Sequence, residues 1–138
     1  MPAWMCPACG RRFGRQRQGH ECAPALSLKE YFSTGPARER PIFDAVMAHL
    51  STVGPVHVEP VSVGIFLKRS RCFAQLRPKQ AWVALSFALP HKVSDPRIAR
   101  KVVRSGANHH HVVNLRGPHD VDDQIRDWLT EAYLHSPL

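Results

Sequence analysis

Cys6-Pro7-Ala8-Cys9 and His20-Glu21-Cys22 place three thiols and one imidazole within the first 22 residues. C-x2-C followed by H-x-C offers two close pairs of soft ligands, the donor set of a tetrahedral Zn2+ ion. Cys6, Cys9, His20 and Cys22 are therefore read as the ligands of a structural zinc. Four protein ligands leave no open position for a water, so catalytic zinc is not expected. Pro7 fixes one φ, and Gly10 permits a left-handed turn after Cys9 that aims backbone N–H groups at the sulfurs. Trp4 and Phe13 are the expected apolar packing of this knob. So small a core needs the metal, which contributes on the order of 10 kcal/mol to the folding of such modules. The bland alternative is a tail with unmetallated thiols.

Between the ligand pairs stand Arg11, Arg12, Arg15 and Arg17, and no acid occurs before Glu21. Guanidinium forks match phosphate oxygens, which makes these four candidate nucleic-acid contacts. A second basic group, Lys68, Arg69 and Arg71, falls at a hairpin tip and joins them. The formal net charge of +8 and pI near 9.9 favour polyanions, DNA or RNA first. The alternative for both groups is a solvated polar surface. Thiols grouped as metal ligands, no basic-then-apolar leader and no apolar run near the ~20 residues of a membrane span point to the cytoplasm and to no membrane partner.

Other candidates are weaker. On a strand, His109 and His111 share one face and His110 takes the other, too few ligands for a second metal. Cys72 beside Phe73 reads as a small core hydrophobe. The P-loop, G-x-G-x-x-G, H-E-x-x-H and G-x-S-x-G patterns are all missing, so the reading leans away from an enzyme. Two further readings stand beside nucleic-acid binding. One is an adaptor that docks a protein partner through the finger. The other is a ligand binder or enzyme with a pocket between helices and sheet near His110, Arg77 and Trp82.

The elements that must position these groups form an α+β domain: a small antiparallel sheet flanked by an N-terminal and a C-terminal helix, behind the zinc-finger-like knob. At 138 residues, 43% hydrophobic and 22% charged, the chain has room for one core and a short appendage. Residues 1–24 are the knob, 25–37 a linker with a short helix-capable stretch around Leu28 to Phe32, whose Leu26, Leu28, Tyr31 and Phe32 dock on a folded part, and 38–138 the domain. Ile42, Phe43, Val46, Met47 and Leu50 recur at helical spacing from Pro41 to Ser51, and Gly54-Pro55 stops the helix. Val61 to Lys68 alternates as a strand, Arg69-Ser70-Arg71 turns, and Cys72 to Arg77 returns. Ala81 to Leu89, apolar on both faces, reads as a central strand. Asp95 to Arg104 fits two patterns: a helix capped at Asp95-Pro96 with Arg97, Arg100, Lys101 and Arg104 on one face, or, the favoured reading, a short capped turn followed by a hairpin through Ser105-Gly106 into His109 to Leu115. Asp120 to Leu134 is the clearest helix, capped by Asp120, with Val121, Ile125, Trp128, Leu129 and Ala132 buried.

Several of these stretches carry a resemblance. Trp4 to Phe13 with His20-Glu21-Cys22, then Pro41-Ile42-Phe43-Asp44, Gly54-Pro55-Val56, Cys72-Phe73-Ala74, Leu76 to Lys79, Asp120-Val121-Asp122 and Trp128 to Tyr133, resemble bacterial proteins that carry the domain of unknown function numbered 5655. The matching positions are mostly packing positions. The resemblance implies a compact α+β domain behind a zinc-finger-like start, with no catalytic residue to carry over.

Overall fold

Helix α2 (Glu39–Val53) buries one stripe, Ile42, Phe43, Val46 and Leu50, and turns Arg40, Asp44, Ala48 and Ser51 to water. That is the 3.6-residue period the sequence displays. Gly54 then leaves the helix in extended backbone, and its N–H donates to Leu50 O at 3.1 Å. Its glycine character is set by crowding, since an added Cβ would lie 2.3 Å from Tyr133 Oη. Tyr133 Oη donates to Pro55 O at 2.9 Å, tying the end of α2 to the C-terminal helix.

The structure, a computed structural model, describes residues 4–7, 11–14, 17, 27–33, 36–61 and 63–136. Its main sheet is antiparallel, in the order β3 (His57–Val61), β4 (Gly64–Lys68), β5 (Cys72–Pro78), β6 (Val83–Leu89), β8 (Asn108–Leu115) and β7 (Val103–Ser105). A second sheet pairs β1 (Trp4–Met5) with β2 (Arg12–Phe13). Helices α1 (Leu28–Ser33), α2 and α3 (Asp123–His135) complete the α+β architecture. Helix α1 lies within the segment read as a linker. It buries Tyr31 and packs Leu28 and Phe32 against the core.

One strand expected from Val61 to Lys68 is in fact two. β3 starts at His57, the chain turns at residue 63, and β4 begins at Gly64. The run His57-Val58-Glu59-Pro60 lacks a strand's usual composition. Pro60 is tolerated because β3 is an edge strand, where a missing N–H costs no ladder bond. β6 is central, as its apolar run requires, with Val83, Leu85, Phe87 and Leu89 on the helix side. Its other face is narrow: Ala84, Ser86 and Ala88. After the Asp95 turn, where Asp95 Oδ1 accepts from the Arg97 N–H at 2.9 Å, β7 enters the expected hairpin with Gly106 at φ 60.

The cap of α3 moves by two residues. Asp122 Oδ1 accepts the Ile125 N–H at 3.2 Å, whereas Asp120 sits in a 3-10 turn and accepts the Arg116 N–H at 2.8 Å. Arg97 grips Asp122 with its guanidinium, 2.8 Å from Oδ1. Helix α3 packs on β6 and β5, and α2 packs beside it. His111 is fully buried, its ring stacked on Phe87 with centroids 5.4 Å apart.

Glu39, at the start of α2, is 1% exposed. Tyr31 Oη donates to its Oε1, while Oε2 has no partner among the described residues. Burial raises its pKa above the usual carboxylate range, and the Tyr31 hydrogen bond only partly offsets this. A carboxyl whose folded pKa is raised stabilises the fold below its unfolded pKa, and that contribution is lost as pH rises through the folded value. Glu39→Gln should therefore flatten the alkaline side of the stability profile. Thermal melts from about pH 5 to 9 check this, with the two proteins converging at the acid end.

Candidate functional site

The N-terminal hairpin starts from two short strands in register, Trp4 opposite Phe13 and Met5 opposite Arg12. Trp4 and Phe13 pack with ring centroids 6.1 Å apart, as their composition suggested. Cys6 follows β1, is buried, and donates its N–H to Arg11 O at 2.9 Å. The hairpin is anchored to the outer face of the sheet, the one the helices do not cover. Its anchor is Glu59 on β3, only 2% exposed.

Glu59 gathers basic groups from both partners. Oε1 accepts from Arg11 Nε at 3.0 Å and from Lys68 Nζ at 2.9 Å. Oε2 accepts the backbone N–H of Arg12 at 3.0 Å and lies 3.0 Å from His57 Nε2. Lys68 Nζ also donates to Arg12 O. The Arg11 guanidinium stands 5.2 Å from the Phe13 centroid and 5.1 Å from that of Phe66, and Lys68 Nζ stands 4.4 Å from Phe13. Burial alone would raise the Glu59 pKa. The bonds from Lys68, the Arg12 N–H and Arg11 overcome that and hold it at about 2.

These contacts redistribute the predicted nucleic-acid residues. Arg11 and Lys68 face inward, 8% and 4% exposed, and are committed to Glu59. Arg12 is half-buried, its peptide bridging Glu59 and Lys68. Arg69 donates to Tyr133 O and Ser136 O at the end of α3, with its guanidinium 4.3 Å from the Tyr133 ring centroid. Arg17 and Arg71 are exposed, and Arg15 lies outside the described residues. Of the expected zinc ligands, Cys9, His20 and Cys22 also lie outside them, and among the described residues no group of three metal-ligating side chains converges. Glu59 escaped the sequence reading. Its signal was there: it is the only acid between Asp44 and Asp95, in a stretch rich in Lys and Arg.

Basic charge collects instead at one end of the sheet. Lys79 closes the β5–β6 turn with its N–H on Trp82 O at 2.7 Å. Arg38 donates to Gln80 O at 3.1 Å in the same turn, and the Arg116 guanidinium lies 5.6 Å from the Trp82 centroid. Arg77 precedes the turn on β5. Arg77, Lys79 and Arg116 are exposed and form no ion pair among the described residues. Asp120 accepts the Arg116 backbone N–H, while the Arg116 guanidinium lies by Trp82.

The pocket expected near His110, Arg77 and Trp82 takes a different form. A cleft of about 600 Å³ opens on the outer face, between the sheet and the N-terminal hairpin. His110 lines it; Arg77 and Trp82 do not. The reason is the strand alternation, which turns His110 outward while the helices fill the other face. Cys72, expected in the core, is exposed and lines the same cleft.

No curated protein and no solved structure matches the chain. Residues 28–136, from α1 through α3, match the sequence profile of a family described as Domain of unknown function (DUF5655), and the chain belongs to that family.

Proposed function

We propose that this chain is a nucleic-acid-binding module whose N-terminal knob is organised by a structural zinc. The observation that carries the reading is the basic end of the sheet, where exposed Arg77 and Lys79 at the β5–β6 turn and Arg116 over the Trp82 ring have no acidic partners among the described residues. Unneutralised guanidinium and ammonium groups beside an aromatic ring suit phosphates flanking a stacked base. Arg71 and Arg17 extend the exposed charge on the hairpin side. Affinity then comes mainly from counterion release, with little base specificity and steep salt dependence.

Anisotropy titrations with single- and double-stranded oligonucleotides at two salt concentrations test this. Reversing two charges, Arg77→Glu with Lys79→Glu, should weaken binding to all sequences alike and lower the log–log salt slope by about 2. No binding at low salt overturns the proposal. Zinc is assigned to Cys6, Cys9, His20 and Cys22 from their types and spacing. Elemental analysis should find one metal per chain, lost in both Cys6→Ser and Cys22→Ser.

A further inference from the structure

The outer face of β6 presents only Ala84, Ser86 and Ala88, so the centre of the sheet is low there. The N-terminal hairpin stands over it on one side and the β4–β5 tip closes a second. The two touch: a Cβ added to Gly14 would lie 2.4 Å from Arg71 Cγ. The cleft enclosed is about 600 Å³, the size that takes a drug-sized or mononucleotide-sized molecule. Strand register brings polar groups onto its floor. Gln75 is opposite Ser86, and His110 is opposite Ala88 one row along.

Four of the lining side chains, Arg71, Gln75, Ser86 and His110, make no hydrogen bond or ion pair among the described residues. They are a guanidinium, an amide, a hydroxyl and an imidazole, all able to donate. Lys68 and Arg11 line the same wall, with the Glu59 carboxylate behind it. Among the described residues the local balance is cationic. Phe66 and Phe73 supply apolar wall.

We infer that this cleft is a binding site for a small molecule carrying an oxyanion, a phosphate or a carboxylate, on an apolar or aromatic body. Arg71 at the rim meets the charge, Gln75, Ser86 and His110 orient it, and the phenylalanine wall takes the body. The site is separate from the basic end around Trp82 and does not depend on nucleic-acid binding there.

The test is an NMR titration of the full chain with AMP, phenylacetate, inorganic phosphate and uncharged adenosine. AMP or phenylacetate should move the Gln75 amide, Ser86 and His110 signals saturably, and adenosine should not. Whichever of the two binds tighter identifies the anion. Arg71→Gln, an exposed substitution that leaves the fold intact, should weaken that binding on the order of tenfold. Ser86→Leu should fill the cleft and abolish it. If neither anion shifts these signals, if shifts appear only around Lys79 and Arg116, or if Arg71→Gln binds as the parent does, the inference fails.

Discussion

Glu59→Ala should destabilise the protein by about 3–5 kcal/mol and release the N-terminal hairpin from the sheet. The cost lies less in the lost attraction than in what remains behind. Lys68 and Arg11 stay almost wholly buried and lose the Glu59 charge that both of them pair with, and the Arg12 N–H loses its acceptor. Denaturant unfolding measures the loss, and hydrogen exchange at Arg12 and Phe13 reports the undocking. Acid should reproduce it in the parent. A carboxylate whose folded pKa is depressed stabilises the fold above its unfolded pKa, and this is lost as pH falls through the folded value. For Glu59 that window runs from 4.5 down to about 2, worth about 3 kcal/mol. Glu59→Gln should remove that acid dependence while keeping part of the hydrogen bonding. Replacing the group together, Glu59→Leu with Lys68→Met and Arg11→Leu, should recover much of the stability, because the penalty belongs to the uncompensated charges. If Glu59→Ala unfolds at the parental denaturant concentration, the network contributes nothing to docking.

The sequence reading succeeded where one local pattern decides the outcome. The stripe Ile42, Phe43, Val46 and Leu50 has helical spacing, and the apolar run Val83 to Leu89, which a buried helix could also show, is short and bounded by turns, which favours a covered strand. It failed where long-range pairing overrides composition. His57 to Val61 is a strand because β4 pairs with it residue for residue, Val58 against Leu67 and Pro60 against Ile65. Arg11 resembled a solvated arginine because its neighbours in sequence are basic. Its true partner, Glu59, is 48 positions away, and nothing local marks that contact. The cleft was hidden for the same reason: its walls come from the hairpin, the β4–β5 tip, β6 and β8 together. Trp4 with Phe13 was legible because the pair lies within one short hairpin.

Phe87→Ala should cost about 3–5 kcal/mol, the range for deleting a buried aromatic ring. Phe87 is 1% exposed and sits in the middle of a stack, with the His111 ring 5.4 Å away on one side and Trp128 5.5 Å away on the other. Truncation leaves a cavity between two planar rings held by separate elements, β8 and α3, so neither can collapse fully into it. The effect extends to pH. Burial holds the His111 pKa below its ordinary value, with the nearby His109, His91 and His110 charges lowering it further and the His109 backbone carbonyl, an acceptor for the ring N–H, opposing them. Its Nε2 accepts the Val93 N–H at 2.9 Å, which requires the neutral ring. As pH falls below about 6.5 the unfolded chain takes up a proton that folded His111 resists, so stability present above that pH is lost on the acid side. Water admitted beside His111 by a smaller residue at position 87 relieves part of that resistance. Phe87→Leu, which keeps enough volume to fold, should therefore be less stable than the parent at neutral pH yet show a flatter decline through mildly acidic pH. NMR titration of the His111 ring should show its pKa moving up toward the ordinary histidine value. A parental slope and an unmoved His111 titration in Phe87→Leu would mean that the ring at position 87 does not keep water from the histidine.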